Sequence, residues 1–226
     1  MSDAAPGPLG LFGGTFDPLH VAHLRLALEA REALGLGEVC FIPAGNPALR
    51  DAPVCPAADR LAMVERAVAG RAGFSVDAAE VLAARDSAPS YTVDTLERQR
   101  LRHGPLRPLV LLIGADAFAR FESWRRWQDL FALAHIAVAT RPGHELRVGA
   151  GSSALDAEFR ARQGTAADLA VAPAGCIVPF AITALEISAT AIRRRLAADL
   201  DVRYLVPDPV LDYIGSRQLY RTPHGH

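Results

Sequence analysis

The chain has 226 residues, half of them hydrophobic and 22% charged, with a formal net charge of -1. That composition belongs to an ordinary globular protein and excludes a disordered or fibrous one; the near-neutral balance argues against a partner held by its phosphate backbone, so no nucleic acid is expected. Cys40, Cys55 and Cys176 form neither a C-x-x-C pair nor a His/Cys cluster, which argues against a disulfide framework or a structural zinc, and no apolar run approaches a membrane span, so no membrane is expected.

Residues 1–8 carry Asp3 and no basic stretch ahead of an apolar run, so they read as a short flexible arm and not as a signal peptide; a cytoplasmic location follows by default. Residues 9–13 are apolar and end in glycines, which predicts a buried strand meeting a tight turn. Val21, Leu24, Leu28 and Ala33 then recur at helical spacing until Gly35 and Gly37, so a helix is expected over 21–34, with a second strand at 39–43. Strand, loop, helix and strand together have the length of a βαβ unit. The Pro- and Ala-rich stretch 44–57 lacks periodicity and reads as a long loop of the kind that is often functional.

A helix resumes over 59–68 and a strand over 74–76. Ser90 or Thr92 is available to cap a helix over 93–101. Residues 108–113 are the most strongly apolar strand and end at Gly114. Two short helices are expected over 116–121 and 124–133, then a strand over 136–139 stopped by Arg141-Pro142-Gly143. The Ala- and Gly-rich segment 149–175 reads as variable surface with a helical patch over 155–163. A late strand at 176–180 precedes helices over 188–198 and 209–216, the second opened by Asp208 as N-cap and Pro209.

Strands alternating with helices predict an α/β fold: a Rossmann-like parallel sheet with helices on both faces and a small helical C-terminal end. No linker divides the chain, so residues 9–222 are expected to form one domain, with residues 223–226 as a flexible tail.

In an open α/β sheet, ligands bind where strands end and helices begin. The segment Gly14-Thr15-Phe16-Asp17-Pro18-Leu19-His20-Val21-Ala22-His23 lies at such a place, after the first strand. Gly13 and Gly14 allow the backbone to turn tightly and approach a phosphate, and Pro18 fixes the loop before the helix. His20 and His23, three apart, share one face of the first helical turn. With free helix N–H groups they form a cationic cradle for a polyphosphate. Neither G-x-G-x-x-G nor G-x-x-x-x-G-K-[ST] occurs, which disfavours a Rossmann oxidoreductase and a P-loop kinase. No third ligand accompanies the histidines, so no metal site is assigned.

Gly14-x-Phe16-x-Pro18-x-His20-x-x-His23 resembles the T/HxGH-type signature of the nucleotidyltransferase superfamily, and Ile187-Ser188-Ala189-Thr190-Ala191-Ile192-Arg193 resembles its I-S-S-T-x-I-R motif. Further segments resemble bacterial nicotinate-mononucleotide adenylyltransferases. They are Pro89 to Leu96, Ile113 to Phe118, Trp124-x-x-Trp127, Ala134-His135-Ile136 and Leu205 to Val210, and the likeness covers roughly residues 9–143 and 176–220. The resemblance implies transfer of the adenylyl group of ATP to nicotinate mononucleotide, with Mg2+ entering alongside ATP.

The same resemblance implies that His20, His23 and Arg193 are catalytic. It assigns nucleotide binding to Gly13, Gly14, Thr15, Phe16, Arg50, Gly114, Asp116, Ile187, Ser188 and Thr190, with Asp116 on the adenosine ribose. Thr92 and Trp124 would hold the nicotinate ring and its carboxylate. The chain departs from the family pattern at Asn46-Pro47-Ala48-Leu49-Arg50, where a Pro-Pro-His-Lys-like loop is common, and at Ala22 and Ala189, where Gly and Ser are usual. Nicotinamide mononucleotide or phosphopantetheine as acceptor, a non-catalytic nucleotide-sensing module, and a homo-oligomeric state all stay open at this point.

Overall fold

The apolar run at 109–113 has no exposed residue and forms a strand covered on both faces, as parallel strands in α/β proteins are. A computed structural model describes residues 7–47, 52–84, 89–141 and 153–221. The strands are β1 (Leu9–Gly14), β2 (Glu38–Pro43), β3 (Phe74–Val76), β4 (Leu109–Gly114), β5 (His135–Thr140) and β6 (Ile177–Ala181). They form a six-stranded sheet in the order β3-β2-β1-β4-β5-β6. The pairs β1–β4, β4–β5 and β5–β6 run parallel, with Leu9 opposite Leu109, Leu111 opposite Ile136 and Val138 opposite Pro179. This is the α/β fold the sequence predicts. The order reverses between β1 and β4, and at such a reversal the carboxyl ends of the strands leave a crevice for ligand.

The chain divides into two compact units, each assembled from separated segments. One comprises the described parts of Met1–Gly13, Leu26–Cys40 and Tyr91–Ala184. Its core combines Leu9, Leu11, strands β4 to β6, and Ala27 and Ala30 of α1 (Val21–Ala33). Val93 and Leu96 of α4 (Thr92–His103) are also fully buried. Arg100 on α4 donates to the carbonyls of Arg107 at 2.6 Å and Pro173 at 3.0 Å, tying the loops at the start of β4 and before β6 to one side chain.

Two local expectations are corrected in this unit. Tyr91 occupies the N-cap of α4, where no side chain caps the helix, and Thr92 is its first residue. Instead of two helices, residues 115–133 form α5 (Ala115–Phe118), tight 3-10 turns at Phe121–Ser123 and Trp127–Asp129, and α6 (Leu130–Leu133). The break has a local cause: Arg126 is left-handed (φ 51), and its guanidinium is held by Asp129 at 2.7 Å and Glu97 at 2.9 Å. The described part of 149–175 carries α7 (Ala154–Arg162), closed at its start by a reciprocal Ser153–Asp156 capping box, and a 3-10 turn at Ala166–Ala170.

The second unit comprises the described parts of Gly14–Arg25, Phe41–Ser90 and Leu185–His226. It contains α2 (Ala57–Val68), α3 (Ala79–Ala83), α8 (Ala189–Ala197) and α9 (Asp208–Ser216). The short helix α3 has no counterpart in the sequence expectations. Helices α2 and α9 are joined by Tyr213, whose hydroxyl donates to Asp59 at 2.7 Å while Arg66 lies 4.2 Å over its ring. Pro207, not Asp208, is the N-cap of α9; Asp208 sits in the first turn, where its charge still favours the helix dipole. The expected stop at Pro142-Gly143 lies outside the described residues, as do positions 1–6 of the expected arm and the whole expected tail.

Candidate nucleotide site

In the second unit the motif loop starts at Gly14, and a Cβ there would lie 2.7 Å from the ring of Phe16. Glycine is therefore required by a side chain folding back beneath the turn. Phe16 itself is left-handed (φ 50) and 2% exposed. Its ring packs against Phe41 at 5.9 Å and edge-on to His23 at 5.1 Å, so it supports that imidazole from below.

His20 precedes α1, and its carbonyl accepts from the N–H of His23 at 3.0 Å. The His20 backbone N–H donates to His23 Nδ1 at 3.3 Å, which leaves the ring proton of a neutral His23 on Nε2. The two rings stack with centroids 3.7 Å apart and planes 21° from parallel. His20 is 5% exposed, and its Nδ1 is a buried atom without a hydrogen-bond partner. Burial lowers its pKa to about 4.

The cationic cradle is thus corrected: His20 is neutral at neutral pH, and two stacked imidazolium rings would repel. The start of α1 is also more occupied than expected. Val21 N–H donates to the carbonyl of Leu205 at 3.0 Å, and the His23 N–H is taken by His20.

Helix α8 offers a more open N-terminus. Ser188 is its N-cap and accepts from Ala191 N–H at 3.2 Å, while the exposed Thr190 follows in the first turn and Ile187 is half-buried. No hydrogen bond from the N–H of Ala189 or Thr190 is recorded among the described residues. Arg193, one turn on, donates through Nη1 to the carbonyl of Asp17 at 2.7 Å and through Nη2 to Thr190 Oγ1 at 3.4 Å. The second unit therefore brings together both motifs: Gly14, Thr15, Phe16, His20 and His23 from one, Ser188, Thr190 and Arg193 from the other. Arg50 lies outside the described residues.

In the first unit, β1 runs to Gly13 and the neighbouring β4 ends at Gly114. A Cβ built on either glycine meets nothing within 4 Å, so these strand ends border open space. Asp116 follows Gly114 in the first turn of α5 and is exposed. Thr92 and Trp124 are half-buried. Their segments are joined by Arg125, which lies 4.7 Å over the ring of Tyr91 and 3.9 Å from Asp94. Trp127, half-buried like Trp124, packs against both Phe121 and Phe131, whereas Trp124 makes a ring contact with Phe121 alone among the described residues. Among the described residues no group of three His, Cys, Asp or Glu side chains is placed to hold a metal ion.

Comparison with known proteins bears on this arrangement. The cytidylyltransferase-like family model matches residues 11–195. A protein of Dechloromonas aromatica named "Probable nicotinate-nucleotide adenylyltransferase" is 55% identical over 216 residues, covering 95% of this chain and 98% of its own. One of the same name from Laribacter hongkongensis is 48% identical, covering 95% and 94%. The chain belongs to the nicotinate-nucleotide adenylyltransferase family. The nicotinic acid mononucleotide adenylyltransferase of Plasmodium falciparum, solved in complex with NaAD, shares the fold: TM-score 0.66 at 16% identity over 95% of this chain and 97% of that one.

Against the nicotinate-nucleotide adenylyltransferase motifs, the sequence expectations pass over two residues that shape the loop. Asp17, 4% exposed, accepts from Val54 N–H at 2.7 Å, Cys55 N–H at 3.3 Å and the Tyr220 hydroxyl at 2.7 Å. Burial and the neighbouring Asp17 push the Tyr220 hydroxyl well above the usual tyrosine range, so it stays a donor. Asp17, the one carboxylate among residues 14–23, was the available signal; nothing local marked Tyr220. Cys55, beside them, is held up at about 11, chiefly by burial, and is no thiolate.

Proposed function

We propose that this chain transfers the adenylyl group of ATP to the 5′-phosphate of nicotinate mononucleotide, forming nicotinate adenine dinucleotide and pyrophosphate. The phosphate oxygen of the mononucleotide forms a bond to the α-phosphorus, the bond from that phosphorus to the bridging oxygen breaks, and the electron pair leaves with pyrophosphate. The nucleophile is already anionic, so the protein needs no general base and no covalent intermediate. Its work is alignment and stabilisation of the negative charge on the leaving group.

The observation that carries this is the stacked His20–His23 pair in one unit with Arg193 and the open first turn of α8. A neutral His20 serves as a hydrogen-bond donor to phosphate oxygen, and the approach of a polyphosphate raises its basicity as charge develops. Ala189 and Thr190 N–H groups, the Thr190 hydroxyl and the Arg193 guanidinium suit phosphate oxygens. Mg2+ is assigned to the substrate: it arrives on the triphosphate and neutralises charge there.

Asp116 is assigned to the ribose hydroxyls, and Thr92 and Trp124 to the pyridine ring. The guanidinium of Arg125, held over the Tyr91 ring next to Thr92, supplies positive charge that favours an acid over an amide at that ring. A cytoplasmic location, where ATP and mononucleotides are at hand, belongs to the same proposal. The test is pyrophosphate release from ATP with and without nicotinate mononucleotide. Release that depends on the mononucleotide, with one dinucleotide formed per pyrophosphate, is expected; release without it, or none with it, contradicts the proposal.

A further inference from the structure

Arg60, on α2, is 1% exposed and is the largest side chain that is fully buried among the described residues. It lies on the stripe of Met63, Val64, Ala67 and Val68, where an aliphatic residue would fill the space without burying a charge. Its nitrogens end on three backbone carbonyls: Nε on Cys55 at 3.3 Å, Nη1 on Thr15 at 2.7 Å and Nη2 on Gly45 at 2.8 Å. Burial lowers the guanidinium pKa and the charge of Asp17 works in the other direction.

The three carbonyls belong to three separate loop segments, and Arg60 is the one side chain among the described residues that bonds all three. Thr15 lies between Gly14 and Phe16. The peptide is planar, so fixing the Thr15 C=O also fixes the direction of the Phe16 N–H on the opposite side. Gly45 follows β2; Ala44 N–H donates to the carbonyl of Gly14 at 2.8 Å, and a Cβ on Gly45 would stand 2.1 Å from the carbonyl oxygen of Glu80. Gly45 is thereby wedged between α3 and Arg60. Cys55 is pinned at both ends, its N–H on Asp17 and its carbonyl on Arg60. A planar guanidinium with donors in fixed directions can hold three such points at once; a lysine ammonium offers one centre.

We infer that Arg60 is a positioning residue for the nucleotide site: by fixing the Thr15 carbonyl against those of Gly45 and Cys55, it holds the Gly14–Phe16 backbone ready for ATP before ATP arrives. The inference rests on the assignment of that loop to ATP. Holding a loop in its bound arrangement acts on affinity, because the ordering cost is met before binding.

The test compares the parent chain with Arg60→Lys and Arg60→Met. Calorimetry gives the Kd of ATP with Mg2+ in the absence of acceptor; steady-state assays give kcat and both KM values; thermal melting reports the fold. The expected result is an ATP Kd and KM raised at least tenfold in both variants, more in Met than in Lys, with kcat within about threefold of the parent. An ATP Kd within twofold of the parent in a folded Lys variant overturns the inference. So does a failure of both variants to fold, which would make Arg60 a purely structural residue. If the parent binds ATP but releases no pyrophosphate with nicotinate mononucleotide, the proposed function falls while the Kd comparison still decides the role of Arg60.

Discussion

Arg193 Nη1 donates to the carbonyl oxygen of Asp17 at 2.7 Å, joining positions 176 residues apart in the sequence. Each residue belongs to a different motif, and the bond sets the guanidinium on the loop that leads to His20. Its side chain keeps about a quarter of its surface exposed, so the remaining N–H groups can face a ligand. Replacement by Gln is expected to lower kcat about 10²-fold, the usual loss when one donor to a developing negative charge is removed. Pyrophosphate-release kinetics with a thermal melt check this; turnover near that of the parent protein contradicts it.

The stacked histidines act as one unit, since the backbone N–H of His20 holds His23 and the rings share a 3.7 Å contact. His20→Asn and His23→Asn should each lower kcat by at least about 10²-fold, with little effect on far-UV circular dichroism. The double variant should lose little more than either single one, because groups that act together are not additive. Fully multiplicative losses would show that the two rings act independently.

Acid should destabilise the fold through His20. Its pKa in the fold is about 4, below the ordinary 6.5. Between those values the unfolded chain binds a proton there that the folded chain does not, so stability is complete above pH 6.5 and is lost as the pH falls toward 4. The most this one group can contribute over the window is about 3 kcal/mol, at roughly 1.4 kcal/mol per pH unit. His135, fully buried and also shifted down chiefly by burial, adds a loss of the same sign. Urea titrations at pH 7 and pH 5 should show a smaller difference in His20→Asn than in the parent; an equal difference would remove His20 from the account.

Gly45→Ala should be among the most damaging small substitutions. The added methyl would meet a backbone oxygen, Glu80 O, at 2.1 Å, and a carbonyl inside a helix cannot swing away as a flexible side chain can. A loss of about 2 kcal/mol or more is expected, with ATP affinity falling as the Arg60 contact is displaced. Chemical denaturation measures it, and a variant as stable as the parent would show that the loop relaxes freely.

Much of this architecture is legible in the residues themselves. β4 falls on its apolar run at Leu109–Gly114 and α1 starts at Val21 as its spacing implies, because burial pattern and local preference agree there. Expectation and structure part where tertiary contacts override local rules. The segment 124–133 reads as helix by composition, yet Arg126 takes a left-handed backbone with Asp129 and Glu97 on its guanidinium. Arg60 sits on an apolar stripe that periodicity alone exposes, but its three carbonyl partners come from loops no local pattern could bring together. The neutral state of His20 likewise comes from burial, which the H-x-x-H spacing does not encode.

The most direct test of the central claim compares nicotinate mononucleotide with nicotinamide mononucleotide as acceptor for ATP, each at saturating ATP with Mg2+, with dinucleotide and pyrophosphate both measured. An adenylyltransferase for the acid should show a kcat/KM at least about tenfold higher with nicotinate mononucleotide, a difference of roughly 1.4 kcal/mol in transition-state binding. Equal use of the two, a preference for the amide, or no dinucleotide from either would contradict it.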